Sequence, residues 1–106
     1  IKERLKEVVM ATIEEIENLP TIEDDEGKYN NFFDDILSVT YISHFDNQKQ
    51  IYQGAELLVA FGGPNVYIDT RYNLVVGHWG SSSIEMSYND DNFLYEYFEE
   101  FFYCSM

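Results

Sequence analysis

The spacing of apolar positions changes twice along this chain. Leu5, Val8, Val9, Thr12, Ile13 and Ile16 recur at steps of three and four, which puts them on one side of a helix from about Lys2 to Asn18. Leu19-Pro20 ends it. Thr21 to Asn31 (TIEDDEGKYNN) has no periodicity and contains four consecutive acids, Glu23 to Glu26, so it reads as a loop or frayed connector. Phe32-Phe33-Asp34-Asp35-Ile36-Leu37 suits a helical turn or the lead into a strand, and the pattern leaves both open.

From Ser38 the period falls to two. Val39, Tyr41, Ser43 and Phe45 alternate with Thr40, Ile42 and His44, a strand that ends at the polar turn Asp46-Asn47-Gln48-Lys49. Ile51 to Phe61 is a second strand, with a bulge expected at Gly54 and a run, Leu57 to Phe61, apolar on both faces as in a central strand. Asn65 to Asp69 and Leu74 to Trp79 form a hairpin around Thr70-Arg71-Tyr72-Asn73, and Ile84, Met86 and Tyr88 mark a last, edge-like strand. Asn89-Asp90-Asp91 supplies capping side chains for a terminal helix over Asp90 to Tyr103; with Asn89 as N-cap, Tyr88 and Phe93 take the two staple positions. The predicted architecture is one α+β domain over residues 1–106. It consists of an N-terminal helix, a four- or five-stranded antiparallel β-meander and a C-terminal helix, with the helices packed on one face of the sheet.

Composition is consistent with a folded chain. Hydrophobic residues make up 45%, aromatics 17%, too many for the disorder that a net charge of -14 suggests by itself. The lone Cys104 has no partner for an internal disulfide and no companion thiols for a cysteine-zinc site, which suits a reducing cytoplasm. No apolar run reaches the length of a membrane span, and Ile1-Lys2-Glu3-Arg4 is not the opening of a signal peptide.

The charge layout narrows the function classes. Twenty acids face six Lys and Arg, and from Gln50 onward eight acids are answered by Arg71 alone. Such a field repels nucleic acid and anionic membrane and attracts basic protein surfaces. Direct nucleic-acid and membrane binding are therefore not expected.

Candidate chemistry adds little. Gly62-Gly63-Pro64-Asn65 lacks the following helix and the lysine of a phosphate loop, and Pro64 removes an amide, so it reads as a turn. His78 with Ser81, Ser82 and Ser83 lacks the G-x-S-x-G elbow and an orienting acid in the local pattern. His44 and Asp46 do not make the three or four ligands of a transition-metal site, and Glu23 to Gly27 lacks the alternating oxygens of a calcium loop. No catalytic residue, metal or cofactor is expected, and the chain is read as a non-enzyme.

The terminal helix carries the informative pattern. At 100° per residue, Glu96, Glu99 and Glu100 fall on one narrow acidic stripe, while Phe93, Leu94, Tyr95, Tyr97, Phe98, Phe101 and Phe102 sweep most of the remainder. That arc is wider than one sheet face needs. Either the helix lies in a groove between the sheet and the first helix, or some aromatics, Tyr95, Phe102 and Tyr103 above all, stay exposed beside carboxylates as a protein-binding surface. The candidate partner-binding residues are Asp90, Asp91, Tyr95, Glu96, Glu99, Glu100 and Tyr103, with Glu23 to Glu26 as a mobile supplement. A homodimer through the C-terminal aromatics is another use of the same surface.

The segments ELLVAFGGPNVYIDT and VVGHWG, within Glu56 to Gly80, resemble small accessory proteins of phages and conjugative elements in Gram-positive gut bacteria. That group includes anti-CRISPR and antirestriction proteins, many of which present carboxylates where a nuclease expects phosphates. The resemblance rests on a strand-turn-strand pattern and transfers no site residue. It implies an acidic inhibitor occupying the nucleic-acid-binding surface of a CRISPR or restriction nuclease. The alternatives are an immunity protein or antitoxin that neutralises a basic toxin with the same charges, or another non-enzymatic interaction domain.

Overall fold

The computed structural model describes residues 2–104. In chain order the elements are α1 (Lys2–Glu17), α2 (Glu26–Asp34), β1 (Ser38–Asp46), β2 (Lys49–Ala60), β3 (Asn65–Asp69), β4 (Leu74–Trp79), β5 (Ser82–Ser87) and α3 (Leu94–Cys104). The five strands pair antiparallel in sequence order, β1-β2-β3-β4-β5, as the short connections between them require. This is the expected α+β meander, with five strands.

Alternation along the strands sorts side chains to two faces. The row Val39, Leu57, Ile68, Val75, Met86 runs across all five strands on the face that carries the helices. Leu58, Tyr67, Val76 and Glu85 form the next row, on the opposite, helix-free face. α1 packs on β4 and β5, and α3 packs on β2. α1 lies close because position 77 has no side chain: a Cβ on Gly77 would stand 2.8 Å from both Leu5 Cδ1 and Val9 Cγ2. Leu5, Val9 and Ile16 are wholly buried there, and the α1 stripe read from the sequence is its buried face.

The bulge forms where the glycine marked it. The β1–β2 register passes from Ile42↔Gly54 to Ser43↔Tyr52, leaving Gln53 as the extra residue. Gly54 has φ 155, and a Cβ there would meet the Arg71 backbone at 2.8 Å, so the β3–β4 turn closes over β2 only because this residue is glycine. Thr70 locks that turn: its Oγ1 accepts the Ala55 N–H at 2.8 Å and its own N–H donates to the Ala55 carbonyl at 2.9 Å. Gly62-Gly63-Pro64 is a bend between β2 and β3, closed by the Gly62 N–H donating to Asn65 Oδ1 at 2.9 Å.

The segment expected to be a loop contains a helix. Asp24 N–H donates to Thr21 Oγ1 at 3.2 Å in a local turn, and Asp25 Oδ1 then accepts the Lys28 N–H at 3.0 Å, capping α2. Nine residues holding a glycine and two asparagines make a poor helix alone; packing supplies the rest. Phe32 is buried in the core and Phe33 stacks on Tyr97 of α3, ring centroids 4.2 Å apart. Phe32 and Phe33 are thus helical, and Ile36-Leu37 lead into β1.

The terminal helix begins later than Asp90. Asp90, not Asn89, is the capping side chain: Oδ1 accepts the Leu94 N–H at 2.7 Å and Oδ2 the Tyr95 N–H at 3.3 Å, across Phe93 at φ 61. Tyr88 is in the core while Phe93 is 60% exposed, so these two do not act as a staple. Asn92 Nδ2 donates to the Ile16 carbonyl at 2.8 Å, tying the start of α3 to the end of α1.

Candidate protein-binding surface

Two elements clamp the inner side of α3. From below, Leu94 and Phe98 are buried against the sheet, and Phe102 meets Tyr41 and Tyr52 of the β1–β2 hairpin, each with centroids 5.6 Å away. From the side, α2 brings Phe33 against Tyr97 and, at 6.2 Å, against Phe98. The groove accounts for Leu94, Tyr97, Phe98 and Phe102, and its second wall is α2 rather than the first helix.

Two tyrosine hydroxyls pin the helix further. Tyr52 donates to the Tyr95 carbonyl at 2.9 Å, and the Tyr52 N–H donates to the Tyr103 hydroxyl oxygen at 3.1 Å. The latter amide flanks the β2 bulge, where ladder pairing is interrupted. Burial pushes the Tyr52 hydroxyl up to about 12, with Tyr95, Glu99 and Tyr41 adding to the rise against a lowering hydrogen bond from Thr70. The Tyr95 hydroxyl is raised in the same sense, first by burial and then by the neighbouring Glu99 and Tyr103.

These contacts sort the candidate residues. Asp90 is spent as a cap and is half-buried. Tyr95 packs its ring on Tyr52 at 4.9 Å. Phe102 is an interior residue of the groove. Glu96 and Glu100 are exposed, Glu99 is half-exposed, and Tyr103 stands among them at 46% exposure; Asp91 lies exposed in the turn before the helix. Glu23 and Asp24 sit in the turn that Thr21 organises, Asp25 caps α2 and Glu26 is in its first turn, so this exposed run has local structure at the start of a helix. Some rings do stay exposed, as one of the two sequence readings allowed, but of the three it named only Tyr103 does so; the others are Phe93 at 60% and Phe101 at 50% exposure, which periodicity alone could not single out.

The carboxylates are divided unevenly between the two sides of the sheet. Four of the twenty acids (Asp46, Glu56, Asp69, Glu85) lie in strands; the other sixteen lie in the three helices or their flanking segments, with only Lys2, Arg4, Lys6 and Lys28 for company. Among the described residues the one ion pair is Arg71–Asp69 at 3.7 Å, on the sheet side, with the Arg71 guanidinium also over the Tyr72 ring at 4.3 Å. The glutamates of α3 therefore face solvent uncompensated. A cleft of about 790 Å³ between α1 and α2 has Leu19, Pro20 and Phe32 in its walls, with Glu14, Glu15 and Asp35 around them and Lys28 as the one cation.

The histidines are elsewhere. His78 is exposed on the helix-free face, stacked on Tyr67 at 6.1 Å and paired in register with Ser83; His44 Nδ1 shares a 2.8 Å hydrogen bond with Gln53 Nε2. Among the described residues no three His, Cys, Asp or Glu side chains gather as metal ligands would, and no helix is long and apolar enough to cross a membrane. Compared with known protein families, with curated proteins and with solved structures, the chain matches none.

Proposed function

We propose that this chain is a non-enzymatic, acidic protein-binding module. Its helical layer docks on the cation-rich, nucleic-acid-binding surface of another protein and thereby inhibits it. The observation that supports this reading is the one-sided charge: sixteen carboxylates gathered around three helices on one face, against four cations. α3 is the centre of that surface, because Glu96, Glu99 and Glu100 flank the exposed ring of Tyr103, and an aromatic anchor inside a charged rim is the usual anatomy of a protein interface. The resemblance noted above makes a CRISPR or restriction nuclease of a mobile element's host the partner to test first.

The test is binding of the chain to a purified CRISPR effector nuclease and to a restriction enzyme, in competition with duplex DNA and at two salt concentrations. Displacement of DNA and affinity that falls steeply with salt would support the proposal, since screening acts over about 8 Å at physiological ionic strength. Binding to neither nuclease, or binding that leaves DNA in place, would refute it. Capture of a basic toxin instead would give the same surface to an immunity protein.

A further inference from the structure

The two edges of the sheet differ in how they are protected. β5 is short, six residues, with Glu85 near its middle. β1 is nine residues long, has no proline, and carries one charge, Asp46, at its end. A long neutral edge exposes a row of unpaired amides and carbonyls, which proteins ordinarily shield with charge, proline or a bulge. Here the bulge is in β2, so the outer edge of β1 stays regular.

The hairpin fixes which groups point outward. Asn47 and Gln48, with φ 50 and 64, form the two-residue turn, so Asp46 and Lys49 are its hydrogen-bonded closing pair. Alternation from Asp46 aims the amides and carbonyls of Phe45, Ser43, Tyr41 and Val39 away from β2. Val39 and Phe45 lie on the helix-bearing face at 38% and 67% exposure, and they are equidistant from Ile42, the midpoint of the strand.

We propose that β1 pairs antiparallel with β1 of a second copy, about a two-fold axis through Ile42, to make a continuous ten-stranded sheet. In this register Val39 of each copy meets Phe45 of the other, Tyr41 meets Ser43, Thr40 meets His44, Ile42 meets itself and Asp46 meets Ser38. No charge faces a like charge, and two exposed apolar side chains are covered at each end. All nine residues pair. Moving the axis to Tyr41 would set Phe45 opposite Leu37, but the Leu37 N–H is already given to the Leu58 carbonyl at 2.7 Å, so the ladder cannot continue there. The axis is perpendicular to the sheet, which leaves both helical layers on the same side and joins their carboxylates into one bivalent surface.

The test is equilibrium sedimentation of the full chain over a range of concentrations at low and moderate salt. The expected species at high concentration has twice the 12.5 kDa chain mass. It should gain stability with salt, because two chains of net charge -14 repel; capture of a cationic partner should weaken with salt, so the two proposals fail separately. Phe45→Lys should raise the dimer dissociation constant roughly tenfold or more, while Phe61→Lys, an exposed control just past the end of β2, leaves it unchanged. Val39→Lys combined with Phe45→Glu should restore dimerisation, since only this register sets each lysine against a glutamate of the other copy. In a Cys104→Ser background, Ile42→Cys should oxidise to a covalent dimer, as directly opposed residues of a non-hydrogen-bonded pair lie about 4.5 Å apart. One chain mass at every concentration and salt overturns the proposal, as does a dimer that Phe45→Lys leaves intact or an Ile42→Cys chain that does not cross-link.

Discussion

The two ends of the sheet are covered in different ways. α1 lies on β4 and β5 through Leu5, Val9 and Ile16, aliphatic side chains buried without remainder, and sits close because Gly77 offers no Cβ. α3 lies over β2 through rings: Phe98 and Leu94 at its centre, Tyr95 and Phe102 on Tyr52, Tyr97 on Phe33. An aliphatic helix needs one flat partner, and its apolar stripe is as wide as its buried face. A helix of rings reaches beyond its footprint, so it recruits a second wall, α2, and leaves other rings half-wet. The comparison explains why one helix face can be read from spacing while the other cannot.

The largest expected effect tests whether both seams carry the fold. Phe98→Ala should cost about 3–5 kcal/mol and Ile16→Ala about 2–5 kcal/mol, read from urea unfolding. A loss at only one of them would mean that one seam is dispensable. Next in size, Gly77→Val should cost about 1–3 kcal/mol by pushing α1 off β4. Val9→Ala in the same chain should return part of that loss, since the Val9 methyl is one of the two atoms a Cβ would strike; strict additivity would deny the close approach.

Smaller effects separate the walls of the α3 groove. Phe33→Ala removes the stack on Tyr97, worth about 1 kcal/mol beyond burial, and should free α2 to exchange amide protons faster while α1 stays protected. Alkaline pH should loosen the other wall. The Tyr52 hydroxyl is raised to about 12 in the fold from an ordinary value of 10, so the folded state holds its proton more tightly. Its contribution is complete below pH 10 and is lost as pH rises from 10 to 12. Thermal melts across that window should show the decline, and Tyr52→Phe should make it shallower without removing it, because burial raises other tyrosine hydroxyls too, Tyr88 and Tyr95 among them. The smallest effect on stability belongs to the outer face: Glu96→Gln, Glu99→Gln and Glu100→Gln together should leave the melting temperature unchanged or slightly higher, because like charges one turn apart repel. The same triple variant should lose partner affinity and much of its salt dependence. Equal affinity for variant and wild type would return these glutamates to a merely solubilising role.

Much of this was present in local pattern. The period-two runs from Ser38, the Gly62-Gly63-Pro64 bend and the α1 stripe are each set by neighbours within a few residues, where backbone sterics and amphipathicity act directly; the Gly54 bulge was marked by residue type, although the Arg71 backbone that requires the glycine belongs to a distant turn. The stripe of Glu96, Glu99 and Glu100 was legible for the same reason, since carboxylates on one side of a helix need no tertiary partner to be placed there. What the sequence by itself determined, then, is the order of elements, the layered α+β class and the strongly acidic balance. Only the tertiary structure decided that Glu26–Asp34 is helical, because the Phe32 and Phe33 side chains that hold it find their partners in the core and on α3, more than sixty residues away for Tyr97. It also decided that Asp90 is a cap, that Phe102 is inside while Phe101 and Phe93 face out, and that the carboxylates gather on one side of the sheet. Those outcomes depend on which surface covers which ring, and burial is a property of pairs of distant segments that no single-segment period records.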